Sequence, residues 1–270
     1  KPVNQTILLF IFNYYLYIKT FYYMYFFMID SLIILSYFSL IVALQSVIGV
    51  GILVLGTPFL LLLNYNIIDI FFILLPISIL TSLSNLLIMN FHNNVFKKNT
   101  SKEFKKFFII CIPSIVIGLL ILKFFQNYIN FKVLVSLVII FSVFLVMLRD
   151  KIKFRINFFR ISILSIVGVI HGLTNSGGTL MSLTLSANKN KHYARFNITF
   201  FYLILASFQY LFAVIIFYED FNFPKNIDLI LFIFLGILIG NIINNYIDNN
   251  KFKIAINILA ILSSLMLVFG

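Results

Sequence analysis

Nine apolar stretches follow one another along this chain of 270 residues, and most connectors between them are only a few residues long. A helix needs about 20 apolar residues to cross the hydrocarbon core of a bilayer. Soluble domains carry about 25% charged residues, whereas this chain carries 10%. The pattern predicts an all-α polytopic integral membrane protein with about 8 transmembrane helices. The stretches are 7–29, 31–63, 67–89, 107–125, 133–148, 161–185, 196–217, 227–246 and 254–269.

The net charge of +12 comes mainly from lysines and arginines in short connectors. Two connectors, 92–106 and 149–160, are strongly basic and are predicted to be cytoplasmic, because loops on that side carry an excess of Lys and Arg. Basic residues in short loops between apolar helices do not favour nucleic-acid binding, so the expected partners are the lipid bilayer and a small solute. The sequence carries no signal for an oligomeric state.

An internal repeat organises the chain. Residues 46–90 and 168–212 each contain a glycine cluster, a short apolar stretch, a polar turn and then a long helix with Ser, Thr and Asn. Repeats of this kind indicate duplicated structural units. We predict a first transmembrane repeat at 31–150 and a second at 151–270, preceded by an extra hydrophobic segment at 1–30.

Glycines interrupt the two longest apolar stretches. As one helix, 31–63 would measure about 50 Å, against a hydrocarbon core of about 30 Å. Glycine-broken helices are therefore expected at Gly49, Gly51 and Gly56, and at Gly172, Gly177 and Gly178. Two arrangements fit. Segments that enter and return would make the halves inverted repeats, whereas a parallel duplication of four helices explains the repeat equally well.

The glycine motifs resemble those of the sulfite exporter TauE/SafE family of bacterial membrane permeases. Residues 49–58 read GVGILVLGTP and residues 172–179 read GLTNSGGT, and the later GILIGNIINNY at 236–246 is similar to the closing segment of that family. The resemblance covers about residues 31–270. It implies a secondary transporter in the bacterial inner membrane that moves sulfite, a sulfonate or a related anion. Export coupled to a proton or sodium gradient is the leading interpretation, and a passive anion channel of the same architecture is the alternative.

Five consecutive residues of the second glycine motif are the leading candidates for anion binding. A helix break leaves N–H groups free to face an anion, and small hydroxyl and amide side chains can add further donors. Close packing of two helices against the glycines is the competing explanation. The candidates are Asn175, Ser176, Gly177, Gly178 and Thr179.

Six further residues are weaker candidates for substrate binding. Ionisable groups at membrane depth are costly and often functional, so His171 is expected either to move a proton or to lie neutral in the core. Amides can both donate and accept hydrogen bonds, which favours Asn85 and Asn197 over the hydroxyl residues near them. The first glycine motif is more apolar than the second, so it suits a hinge as well as a ligand site. Its candidate residues are Gly49, Gly51 and Pro58.

The basic residues near helix ends and the absence of enzyme motifs give two further predictions. Arg195 and Lys123 are predicted to extend to the membrane interface, the usual behaviour of long basic side chains, with attraction of an anion as the alternative. The chain has no G-x-S-x-G, H-E-x-x-H or P-loop motif, and Cys111 is its only cysteine. We therefore predict no enzymatic activity, no metal and no bound cofactor.

Overall fold

A computed structural model of the chain describes residues 34–93, 101–152, 161–186, 190–220 and 228–269. The extra segment predicted at 1–30 lies outside these ranges. Within them the chain is helical throughout, with a single 3₁₀ turn at Tyr218–Asp220 and no strand. The ten helices are α1 (Ile34–Ile48), α2 (Ile52–Leu62), α3 (Ile67–Asn93), α4 (Ser101–Phe125), α5 (Phe131–Ile152), α6 (Ile161–Thr174), α7 (Gly177–Ser186), α8 (Lys191–Ile216), α9 (Asp228–Tyr246) and α10 (Asn249–Phe269).

Three helices in the described part of the chain are long and apolar enough to cross a membrane: Ile67–Met89, Phe104–Phe125 and Lys191–Ile216. Five shorter apolar helices accompany them. Many large apolar side chains point outward, among them Phe124 with 70% of its surface exposed, as expected where lipid is the solvent. These features confirm the predicted all-α polytopic membrane class.

Helices α1 and α2 form a hairpin and not one long helix. Near the start of α1, the ring of Tyr37 stacks on Phe59 with centroids 3.8 Å apart, and its hydroxyl donates to the Leu55 carbonyl at 3.1 Å. Near the end of α1, Gln45 Oε1 accepts from the N–H of Ile52 at 3.1 Å. Early residues of α1 thus contact late residues of α2, so the chain folds back. The described part of α1, Ile34–Ile48, is about 22 Å long.

The turn of this hairpin, the first tip (residues 49–51), contains two of the predicted glycines. Gly49 has φ 96, a left-handed conformation that glycine adopts without a steric penalty. A Cβ on Gly49 would lie 2.7 Å from Thr199 Oγ1, so there is also no room for a side chain. The predicted break is therefore present at Gly49 and Gly51, while Gly56 and Pro58 lie inside α2.

Helices α6 and α7 form a second hairpin. Its turn, the second tip (residues 175 and 176), begins with Asn175 at φ 63, and the N–H of Asn175 donates to the His171 carbonyl at 2.9 Å. Gly177 packs back against Val167 and His171 of α6, so α7 returns along α6. Gly172 lies within α6 and does not form the turn.

The two hairpins enter the bundle from opposite ends. One end of the bundle, which we call the basic end, contains Lys191 at the start of α8. There the N–H of Lys191 donates to Asn249 Oδ1 at 2.7 Å, and Lys251 and Lys253 follow Asn249 closely in the sequence. At the other end, Lys132 Nζ donates to Asn64 Oδ1 at 3.2 Å, next to the chain leaving α2. Hairpin α6–α7 opens toward the basic end and α1–α2 toward the opposite end. This geometry agrees with the arrangement in which each glycine-broken segment enters the bundle and returns to the end from which it came.

Glycines also hold the first five helices against the last five. Gly168 and Gly172 of α6 face α4, and a Cβ on Gly168 would lie 2.5 Å from the Cys111 carbonyl oxygen. Gly236 and Gly240 of α9 face α1 with the same spacing of four residues. Small residues at this spacing let helix backbones approach closely, the main source of helix association in membranes. The two sets of five helices are thus interlocked.

We predict that Gly168→Ala destabilises the protein by about 1–3 kcal/mol, the usual range for overpacking. Alanine is the better helix former by about 1 kcal/mol, but the contact is to a backbone carbonyl, which cannot move aside as a side chain can. Thermal unfolding of the purified protein measures the effect. Ile166→Ala, on an outward-facing position of the same helix, serves as control. A Gly168→Ala protein as stable as wild type would contradict the close contact.

We expect the basic end to face the cytoplasm. With Cys111 replaced by alanine, single cysteines would be placed at Lys251 on the basic end and at Tyr128, 86% exposed, on the other. A membrane-impermeant maleimide should label Tyr128→Cys in intact cells and Lys251→Cys only after permeabilisation. The reverse pattern, or labelling of both from one side, would contradict the orientation.

Candidate functional site

The two hairpin tips meet in the interior of the bundle. A Cβ built on Gly178, just after the second tip, would lie 3.0 Å from Val50 Cγ2 of the first tip and 2.5 Å from the ring of Tyr202 on α8. Gly49 in turn packs against Ile198, Thr199 and the Arg195 carbonyl of α8. Helix α8 therefore runs past both tips.

Amide side chains connect the second tip to the neighbouring helices. Asn175 Nδ2 donates to Thr57 Oγ1 of α2 at 3.2 Å. Gln209 Nε2 of α8 donates to Asn175 Oδ1 at 2.8 Å and to the His171 carbonyl at 2.9 Å. All four residues are fully buried. Backbone and side-chain groups that the break in the helix frees are thus bonded by residues from α2 and α8.

Four buried polar atoms near this network make no hydrogen bond of normal geometry in the described part of the chain, although Tyr202 Oη lies near Ser78 and Leu53 and the His171 ring lies near the Asn175 backbone. They belong to three side chains and are His171 Nδ1, His171 Nε2, Tyr202 Oη and Gln209 Oε1. The His171 and Tyr202 rings lie with centroids 6.0 Å apart. Buried polar atoms are almost always hydrogen-bonded, and exceptions suggest a bound water, an ion or a functional role. We call these three residues the unpaired polar cluster.

The remaining residues of the second motif are bonded locally. Ser176 donates from its N–H to Thr174 Oγ1 and from its hydroxyl to the Thr174 carbonyl, both at 3.2 Å. Thr179 Oγ1 donates to the Ser176 carbonyl at 2.6 Å and lies 3.4 Å from Ser142 Oγ of α5. Gly177 and Gly178 have no room for a Cβ. The predicted residues Asn175 to Thr179 are thus brought together with His171 at one tip.

A single glutamine holds the first tip to α3. Gln45 Nε2 donates to the Ser78 carbonyl at 3.1 Å and to Ser82 Oγ at 2.9 Å. Its Oε1 accepts from Ile52 just after the tip. Gly51 packs against the Gln45 backbone, and Pro58 lies buried inside α2, away from the turn. Around this tip the glycines serve close packing, and Gln45 supplies the polar contacts to α3.

The two asparagines predicted for the cavity have different environments. Asn85 Nδ2 donates to Ser46 Oγ at 3.1 Å, and Asn85 Oδ1 accepts from Asn241 Nδ2 at 2.8 Å, so it links α1, α3 and α9. Asn197 Nδ2 donates to the Tyr193 carbonyl of its own helix at 2.7 Å. The structure therefore includes Asn85 in a network between helices and assigns Asn197 a bond within α8.

Arg195 does not extend to the interface as predicted. Only 6% of its surface is exposed. Its guanidinium donates to Asn241 Oδ1 at 2.7 Å, to Asn244 Oδ1 at 3.3 Å and to the Ser46 carbonyl. The prediction was wrong because α9 supplies two amide acceptors inside the bundle. Lys123, by contrast, is exposed at the end of α4 and donates to the Ile216 carbonyl, as a helix-end lysine is expected to do.

Several contributors to these networks were not among the candidates from sequence, among them Gln45, Tyr202, Asn241 and Asn244. Three of these residues could have been identified from the sequence, because an amide side chain inside an apolar run needs a hydrogen-bond partner. Gln45 stands four residues before Gly49, and the two asparagines interrupt the apolar run of α9. Tyr202 is one of 14 tyrosines in the chain, and nothing in its neighbourhood distinguishes it.

We predict that Gln209→Met destabilises the protein by about 1–3 kcal/mol, because the His171 carbonyl and Asn175 Oδ1 lose a buried donor. Methionine keeps the length of the side chain but offers no N–H. Leu211→Met on the outward face of α8, where the leucine is 51% exposed, is the matched control. Thermal unfolding compares the two proteins, and equal midpoints would contradict a stabilising role for the amide.

Comparison with known proteins identifies the family. A family model described as Sulfite exporter TauE/SafE matches residues 34–267. No curated protein and no solved structure matches the chain. The match covers both hairpins and all ten described helices, and the family is one of membrane transporters for sulfur-containing anions and not an enzyme class. The chain therefore belongs to the sulfite exporter TauE/SafE family.

Proposed function

We propose that this protein exports sulfite, or a closely related small sulfur-containing anion, by exposing a central site alternately to the two sides of the membrane. The observation that carries the proposal is the unpaired polar cluster beside the meeting point of the two hairpin tips. Transporters commonly bind their substrates at interrupted helices near the bilayer midplane, where freed backbone groups can contact the ligand. Membership in the family supports the substrate class and the direction.

The cluster has the chemistry that a small oxoanion requires. The Tyr202 hydroxyl and one nitrogen of a neutral His171 ring are hydrogen-bond donors suited to anion oxygens. Gln209 Oε1 is an acceptor, and it suits the O–H of a singly protonated anion. Asn175, bonded to Gln209 at 2.8 Å, keeps that amide in the orientation that leaves its oxygen free. Ser176, Gly177, Gly178 and Thr179 complete the proposed site as the turn that positions Asn175.

The first tip supplies the opposite wall of the proposed site. Gly49 and Gly51 allow Val50 to approach Gly178 within contact distance. A Cβ on Gly178 would clash with the Tyr202 ring at 2.5 Å and crowd Val50 of the first tip at 3.0 Å, so an anion passes here only if a hairpin or α8 moves. This observation favours a transporter with moving hairpins over the alternative of a passive channel of the same architecture.

Ion coupling is assigned to His171 in this proposal. It is the ionisable group within the unpaired polar cluster whose charge changes most readily near neutral pH. A proton taken up on one of its ring nitrogens would compensate the charge of the anion, and the movement of one would then be linked to that of the other. Histidine at membrane depth is costly unless it has such a role.

We predict that the protein reconstituted in liposomes moves sulfite and that a transmembrane pH gradient accelerates this flux. His171→Gln should keep downhill sulfite movement within about tenfold of wild type, because glutamine can still donate a hydrogen bond, but the pH gradient should no longer change its rate. The measurement is radiolabelled sulfite flux with and without an imposed gradient.

His192→Gln is the matched control, because His192 is an exposed histidine in the first turn of α8. It should keep the wild-type response to the gradient. A wild-type flux that ignores pH gradients would contradict proton coupling and favour the channel. A wild-type protein that moves no sulfite would contradict the proposed substrate.

A further inference from the structure

Two buried cations lie one helical turn apart at the basic end of α8. Lys191 and Arg195 are each only 6% exposed. Lys191 Nζ donates to the carbonyl oxygens of Asn244 at 2.5 Å and Ile247 at 2.6 Å. The Arg195 guanidinium donates to two asparagine side chains of α9 and to the Ser46 carbonyl. Every one of these acceptors is electrically neutral.

A carboxylate that influences Lys191 has another hydrogen-bond partner. Asp248 influences Lys191 electrostatically but is exposed, and its Oδ1 accepts from the N–H of Lys251 at the start of α10. Among the described residues, the partners of the Arg195 guanidinium are therefore dipoles and not counter-charges. Its Nε–H is buried and has no partner among them. A buried, unpaired charge is costly, and arginine remains charged under all ordinary conditions.

We propose that Arg195 binds the transported oxoanion at a second site, nearer the basic end than the unpaired polar cluster. The anion would accept from the Nε–H of Arg195 and place a negative charge beside a guanidinium whose described partners are all neutral, with Lys191 adding to the positive potential. This site rests on the proposed function, because its ligand is the same sulfite-like anion. Arginine is well suited to bind the oxygens of such anions.

The second site is connected to the first tip and not to the second. Arg195 contacts the end of α1 through the Ser46 carbonyl, and its own carbonyl packs against Gly49. Asn241 bridges Arg195 to Asn85 on α3 with bonds of 2.7 and 2.8 Å. The anion at this position would therefore contact hairpin α1–α2 and α9 before it reaches the cluster around His171.

The test measures the sulfite concentration that gives half-maximal uptake into inverted membrane vesicles, whose outer face is the basic end. Arg195→Gln should raise this concentration about tenfold or more, because a hydrogen bond to a charged group is lost. Arg195→Lys, which keeps the charge without the Nε–H, should give an intermediate increase. Lys251→Gln, an exposed lysine at the same end, removes one positive charge and should change the value less than twofold.

The outcomes separate the second site from the function on which it rests. Wild-type vesicles that take up no sulfite would overturn the proposed function. Active wild-type vesicles with unchanged half-maximal concentrations in Arg195→Gln and Arg195→Lys would overturn the second site alone. If Arg195→Gln fails to accumulate in the membrane, Arg195→Lys decides: an unchanged half-maximal concentration in that variant overturns the site and leaves Arg195 a structural role only.

Discussion

A backbone broken inside a membrane must find hydrogen-bond partners within the protein, and the rest of this structure follows from that requirement. Both hairpins end at turns that free N–H and carbonyl groups. Gln45 binds the N–H of Ile52 at one tip, and Gln209 binds the carbonyl of His171 at the other. Each glutamine also bonds a second group, Gln45 on α3 and Gln209 at Asn175 of the second tip. The side chain that satisfies the backbone therefore also fixes the position of the turn.

Much of this architecture could be predicted from the sequence because it depends on local properties. Apolar runs predict helices, and a run of 33 residues with glycines at Gly49 and Gly51 predicts a break. The contacts that surround the breaks could not be predicted, since they join residues far apart in the chain. Asn85 and Asn197 both stand in predicted apolar helices, and only the packing of each helix in the bundle decides that one links helices and the other bonds within its own.

The burial of Arg195 could not be predicted from the sequence for the same reason. Its position at a helix end suggests a side chain that reaches water. Its burial depends on Asn241 and Asn244, which follow 46 and 49 residues later. The division of the chain into repeats at 31–150 and 151–270 stays a prediction. The structure adds that the helices of these two segments pack closely through Gly168, Gly172, Gly236 and Gly240, so the segments share one core.

The pairing of α1 with α9 has a consequence for biosynthesis. The carbonyl of Ser39 in α1 packs against Gly236 of α9, so this contact must wait until almost two hundred further residues have been made. During translation hairpin α1–α2 therefore lacks its contact with α9 until α9 has been made. Its final placement belongs to the last stage of assembly, and defects in α9 would appear as misplacement of hairpin α1–α2, which is synthesised long before α9.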